Sequence, residues 1–235
     1  MTLQSKFVDN NGVRLHYLDS EGTSSEVPLF ISPGLSERAE EYEELIAYLA
    51  PRRCVVLSYR GRGKSETPFA GYGLKEHVSD LDSVAQAAGL HLFHLYAYSR
   101  GVSYALGYLQ QNSEKVASIL LQDYPPEHKA MTEDWAENYI GNYLIPNKRT
   151  GHIRSEAVWG IQRESEQIHF DFTMDKKMLL LRGLQEGSLL SELDVDRYIK
   201  RASNATVVGF EHSAHDIRSV EKELLFQTIK NFLQK

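Results

Sequence analysis

Hydrophobic and polar positions along this chain follow two periods in turn, and the switching between them sets the expected architecture. Short apolar runs fall at 28–32, 54–58, 92–97, 116–122, 178–181 and 205–210, and each reads as a strand. Two further strands, 6–8 and 13–18, are joined by Asp9-Asn10-Asn11-Gly12, a turn sequence of the hairpin kind. Between the runs the period lengthens to that of a helix. Tyr42, Leu45, Ile46 and Leu49 mark one face of a helix over 38–49, and Val78, Leu81 and Ala85 one face of a helix over 77–88. Helices are also predicted at 102–109, 191–201 and 221–233. Strands alternating with helices in this way imply an α/β fold, with a mostly parallel sheet and helices on both faces.

One stretch breaks the alternation. From 125 to 173 no strand pattern stands out, and Trp135, Tyr139, Tyr143, Trp159, Phe170 and Phe172 lie among many charges. This segment reads as a helical cap inserted over one edge of the sheet. It is too short to be expected as an independent domain, so the chain, 1–235, reads as one domain carrying an insertion at 125–173. No internal repeat is visible.

Composition narrows the field without deciding it. The 235 residues are 42% hydrophobic and 25% charged, an ordinary balance for a globular protein with a sizeable core. The net charge of -6, with no long Lys/Arg cluster, argues against nucleic acid and anionic membranes as partners. No apolar run is long enough to span a bilayer, and residues 1–11 carry no apolar core of a signal peptide. The single cysteine, Cys54, sits in an apolar strand and reads as a buried thiol; with no internal disulfide available, a reducing, cytoplasmic setting is expected. The sequon Asn204-Ala205-Thr206 matters only in a secreted protein.

The sharpest chemical signal is Ala97-Tyr98-Ser99-Arg100-Gly101, directly after a predicted strand and opening a helix. A serine on such a turn takes a strained backbone conformation that lifts its hydroxyl clear of the sheet, and small residues two before and two after avoid a clash of strand with helix. Gly101 meets that demand, and Ala97 stands where a first glycine is more usual. The helix start also aims free N–H groups at the site, so the amide of Arg100 is a natural oxyanion donor. The plainer alternative is a helix capped by Ser99.

Nearly the whole chain resembles the α/β-hydrolase fold family, which implies a mostly parallel sheet of about eight strands with a helical cap. Ile31-Ser32-Pro33-Gly34-Leu35 resembles the family's oxyanion loop, with proline where histidine is frequent, and the resemblance makes Leu35 the second oxyanion donor. Arg60-Gly61-Arg62-Gly63-Lys64-Ser65 resembles the turn after the fourth strand, and His77-Val78-Ser79-Asp80-Leu81 the helix before the elbow strand. Gly63-Lys64-Ser65 also looks like the end of a phosphate loop, but that motif needs glycine at the position held by Ser58.

The family order puts the nucleophile first and the histidine last. Ser213-Ala214-His215-Asp216 follows the last strand and resembles the family's histidine loop, which makes His215 the general base. His212 reads as a surface or supporting residue, and a His212–His215 metal pair lacks further ligands, so neither a metal nor another cofactor is expected. His91 and His94, at the start of a strand, read as structural, as does Ser103. For the acid, two candidates stand. Glu186 lies three residues after Gly183 in the loop that usually supplies it; Asp123 ends the preceding strand and is followed, one residue on, by Pro125. Asp123 is the first choice and Glu186 the second.

The function implied is hydrolysis of a small ester or related acyl compound, a carboxylesterase-like reaction through an acyl-enzyme on Ser99. Trp135, Tyr139 and Tyr143, at four-residue spacing, make one helix face that either lines an acyl pocket or packs the insertion on the core. Other readings are C–C bond or thioester hydrolysis on the same triad, and a ligand receptor of the same fold without catalysis. Substrate identity and oligomeric state stay open.

Overall fold

A computed structural model describes residues 3–22 and 24–234; the expectations for Met1, Thr2, Thr23 and Lys235 lie outside them. The chain opens on a hairpin of β1 (Gln4–Asn10) and β2 (Val13–Asp19). Asn11 and Gly12 form its two-residue turn with φ of 52° and 84°. Left-handed residues at both turn positions match the twist of the strands, which is why an Asn-Gly pair stands there. Next come β3 (Leu29–Ser32), α1 (Glu43–Leu49), β4 (Cys54–Ser58), α2 (Leu74–Ala87), β5 (Phe93–Tyr98), α3 (Gly101–Gln111) and β6 (Val116–Gln122). A short ribbon of β7 (Glu127–His128) and β8 (Ile168–His169) brackets α4 (Trp135–Tyr139), a single π-type turn at Ile140–Leu144, and α5 (Ser155–Glu164). The chain ends with β9 (Lys177–Gly183), α6 (Glu192–Arg201), β10 (Ala205–Phe210), α7 (Ile217–Val220) and α8 (Lys222–Leu233).

The main sheet has eight strands in the order β1-β2-β4-β3-β5-β6-β9-β10. Only β2 runs against its neighbours; all pairings from β4 to β10 are parallel. Apolar side chains of α2, α3 and α6, such as Leu81, Leu106 and Tyr198, fill one face of the sheet. Those of α1 and α8, such as Leu45 and Ile229, fill the other. Strands covered on both faces must be apolar throughout, and β3 and β4 are buried at every position.

Three details depart from the pattern read in the sequence. The helix expected over 38–49 divides into a tight 3₁₀ turn, Ala39–Tyr42, followed by α1. Side chains compete for the first turn's amides there: Glu41 accepts from Arg38 N at 2.9 Å, and Ser58 Oγ from Ala39 N at 2.9 Å. The helix expected over 221–233 forms as α8, but a further short helix, α7, which the periodicity did not mark, precedes it. The stretch 125–173 contains the β7–β8 ribbon, two residues a side and too short to leave a period in the sequence. It packs on the rest of the chain through its own apolar cluster, with Ala157, Val158 and Ile161 around Tyr72. Gly160 is required at that contact, since a Cβ there would lie 2.2 Å from the Tyr72 ring.

Candidate active site

The carboxyl ends of the parallel strands, where ligands of open α/β sheets bind, bring together residues far apart in the chain. Ser99 stands between β5 and α3 with φ of 52°, a left-handed conformation that costs a serine about 1 kcal/mol or more. Neighbouring contacts enforce it. Ser99 N donates to Gln122 O at 3.0 Å, and Val102 N to Ser99 O at 2.8 Å. A Cβ on Gly101 would come within 2.3 Å of Pro33 O and 2.5 Å of Ser32 O, so only glycine lets α3 lie so close to β3. Ala97 is fully buried, and its methyl is accommodated where the elbow more usually has glycine.

His215 bridges two of the predicted residues. Its Nε2 lies 2.9 Å from Ser99 Oγ and its Nδ1 2.9 Å from Asp123 Oδ2. Asp123, fully buried just past β6, also adopts a positive φ of 50°. Its carboxyl group accepts from Gly183 N at 3.2 Å, Ser188 Oγ at 2.6 Å and Leu189 N at 2.9 Å. A group surrounded by donors calls for a proton on the facing ring nitrogen, so His215 carries Nδ1–H and presents Nε2 as acceptor to the Ser99 hydroxyl. Glu186 does not come to His215: it is exposed on the loop after β9 and, among the described residues, has no hydrogen bond or ion pair. That loop serves the site through the hydroxyl of Ser188 and the amide of Leu189. His212 is exposed at the surface.

The amides of Leu35 and Arg100 flank Ser99, and neither donates to a protein acceptor among the described residues. Each residue is anchored from behind by a buried guanidinium. Arg62 Nε donates to Leu35 O at 3.0 Å, and its Nη1 to His77 Nε2 at 3.0 Å. The Arg100 side chain is held by His128 Nε2 at 3.1 Å and Ser165 Oγ at 2.6 Å. Ser103, read as structural, donates to Arg100 O at 2.8 Å and accepts from His128 Nδ1 at 2.9 Å. Both histidines are fully buried. Burial, reinforced by the neighbouring guanidinium, pushes His77 well below the ordinary imidazole range and His128 down to about 3. They are therefore neutral acceptors for the arginines. Arg62, His77 and Arg100 lie in motifs read from the sequence, but their contacts with one another and with His128 form only after the sheet is assembled.

The pocket in front of Ser99 encloses about 560 Å³. Trp135, Tyr139 and Tyr143 form one wall, stacked at 5.1 and 5.0 Å between ring centroids. Tyr139 is pinned by its hydroxyl, which bonds Ser36 Oγ at 2.9 Å. Tyr98 packs its ring on His215, 5.0 Å between centroids and 25° between planes, a contact the sequence reading missed. His94 bonds Ser118 Oγ at 2.7 Å and is not among the residues lining the pocket. Cys54 is buried, and burial pushes its thiol up to about 12. Among the described residues, no three or more His, Cys, Asp or Glu side chains come together as a metal site, and no helix is long and apolar enough to cross a membrane.

Comparison with known proteins gives a consistent picture. Residues 27–145 match a family model described as alpha/beta hydrolase fold. Among solved structures, an esterase from Exiguobacterium antarcticum is 18% identical, with a TM-score of 0.81 over 99% of this chain and 100% of that one. A bromoperoxidase from Bacillus anthracis is 15% identical, with a TM-score of 0.83 over 99% and 100%. An enol-lactonase from Burkholderia xenovorans LB400 is 13% identical, with a TM-score of 0.79 over 98% and 100%. At these identities the likeness is one of fold.

Proposed function

The chain belongs to the alpha/beta hydrolase fold family, and from that premise we propose that it is a serine hydrolase, carboxylesterase-like, cleaving a small ester or related acyl compound. The observation that carries the reading is the continuous path from Asp123 Oδ2 through His215 to Ser99 Oγ, 2.9 Å at each step, beside two unengaged amides. Ser99 Oγ attacks the substrate carbonyl while His215 Nε2 takes its proton. The negative charge that builds on the carbonyl oxygen is received by the N–H groups of Leu35 and Arg100, at the positive end of α3. Asp123 stabilises the imidazolium and holds the ring in the useful tautomer. His215 then passes the proton to the leaving group, and the same imidazole activates water to release the acyl group from Ser99.

The aromatic wall of Trp135, Tyr139 and Tyr143 takes the apolar part of the substrate, and the pocket volume suits a small molecule rather than a polymer. An esterase and an enol-lactonase among the structural neighbours fit a fold that hosts ester chemistry. A cytoplasmic setting is supported by the single, buried cysteine. The direct test is labelling with a fluorophosphonate. The wild-type protein is expected to be labelled on Ser99 and the Ser99→Ala variant not at all; equal labelling of both would reject the assignment.

A further inference from the structure

Two loops distant in the sequence carry the groups assigned above: 33–37 after β3, with the Leu35 amide, and 211–218 after β10, with His215. A single carboxylate joins them. Glu37 Oε2 accepts from Gly34 N at 2.8 Å and from the Tyr42 hydroxyl at 2.5 Å. Its other oxygen, Oε1, pairs with Nη2 of Arg218 on α7. Arg218 Nη1 reaches Glu41 O at 3.3 Å, and the guanidinium lies 4.8 Å over the Tyr42 ring. The side chains are 7% and 23% exposed, so the pair is largely screened from water and its Coulomb attraction is strong.

Between the two loops lies Tyr98, stacked on His215. A Cβ on Gly34 would stand 3.0 Å from Tyr98 Cδ1 and 3.2 Å from Glu37 Oε2, so loop, ring and carboxylate are in mutual contact. Burial and the charges of Glu37 and Asp216 raise the Tyr98 phenol, while Arg218 acts the other way. Both members of the pair are thus within electrostatic reach of the ring that touches the histidine.

We propose that the Glu37–Arg218 ion pair is a positioning clamp, which fixes the oxyanion loop at Gly34–Leu35 against the His215 loop while cancelling its own two charges beside Tyr98, the ring that stacks on the imidazole. The proposal rests on the serine hydrolase reading of the site. Neither residue touches the reacting atoms; they act through Gly34 and through the start of α7. The other groups facing His215 are Asp123 beyond β6, Asp216 on its own loop, and the neutral Ser99 and Tyr98. The Arg149–Glu41 pair, also on the pocket wall, is left intact by the replacements below.

The test combines NMR titration of the His215 ring with acylation kinetics on p-nitrophenyl acetate, for Glu37→Gln, Arg218→Met, Arg218→Lys and the Glu37→Gln/Arg218→Met double variant. Glu37→Gln leaves a bare cation behind the Tyr98 ring that stacks on the imidazole, so the titration midpoint is expected to fall by about half a pH unit; Arg218→Met leaves a bare anion there, and the midpoint is expected to rise by about as much. In the double variant it returns close to wild type. Acylation is expected to slow about tenfold in each single variant, and no further in the double than in the poorer single, because both disrupt one contact. Arg218→Lys keeps the charge and is expected to hold the wild-type midpoint, which guards against misreading a variant that folds badly. Midpoints that stay fixed or move together, or losses that multiply, would overturn the clamp. Absence of Ser99-dependent turnover in the wild-type protein would instead reject the hydrolase reading, while the titrations still report on the clamp.

Discussion

His215 Nδ1 and Asp123 Oδ2 stand 2.9 Å apart although 92 residues separate them, and the same oxygen accepts the amide of Leu189 at 2.9 Å. The carboxylate is thus fixed by the loop after β9 while it orients the imidazole. Asp123→Asn retains the shape but places an amide against Nδ1 and favours the wrong tautomer. Turnover is expected to fall by up to about four orders of magnitude with the fold intact. Glu186→Gln, on the exposed part of the same loop, is expected to change it less than about twofold. Steady-state kinetics of the two variants, with circular dichroism as the control, check this; the opposite ranking would move the acid to Glu186.

Gly101 tests the elbow. A methyl group there meets two backbone carbonyl oxygens, Pro33 O at 2.3 Å and Ser32 O at 2.5 Å, at the end of β3 and the start of the loop after it. Gly101→Ala is expected to destabilise the protein by about 3 kcal/mol or more, read as a lowered denaturation midpoint. Ala97→Gly, on the other side of Ser99, has no such contact to lose and is expected to cost about 1 kcal/mol, from lost burial and added backbone freedom.

The neutral histidines behind Leu35 and Arg100 predict how stability depends on pH. In the folded state burial and a guanidinium hold His77 and His128 unprotonated, His128 down to about 3. In the unfolded chain both take up a proton near the ordinary value of about 6.5. Stability from these groups is therefore full above that value, and lost as pH falls toward the depressed folded pKa. Each contributes a slope of about 1.4 kcal/mol per pH unit. Urea denaturation between pH 6.5 and 4.5 is expected to show this decline. His128→Asn keeps an acceptor for Arg100 and a donor for Ser103 but does not titrate, so it should reduce the slope by about one proton's share. An unchanged slope would mean that His128 is not held neutral.

Much of the fold was legible in the periodicity. The strands at 28–32, 54–58 and 116–122 were readable because burial on both faces makes them uniformly apolar, and the hairpin because Asn11-Gly12 fits few other turns. The divided helix at 38–49 was hidden: its apolar spacing is helical throughout, and one of the side chains that take its first amides, Ser58, lies 19 residues away from Ala39. Ser99 and His215 were readable from local sequence because an elbow and a terminal histidine loop carry their own signatures. The acid was readable only as a choice between two carboxylates, with Asp123 put first; the adjacency of β6 to both β5 and β9 puts the end of β6 beside the histidine. The roles of Tyr98, Glu37, Arg62 and Arg218 were missed because they are contacts between segments distant in the sequence.

The central claim is that Ser99 is the nucleophile, and turnover of p-nitrophenyl acetate by the Ser99→Ala variant tests it most directly. Removing Oγ leaves His215 with nothing to deprotonate, whereas the amides of Leu35 and Arg100 and the pocket remain. The rate is expected to fall by about three to six orders of magnitude, with the fold and the denaturation midpoint preserved. Full esterase activity in Ser99→Ala would contradict the account.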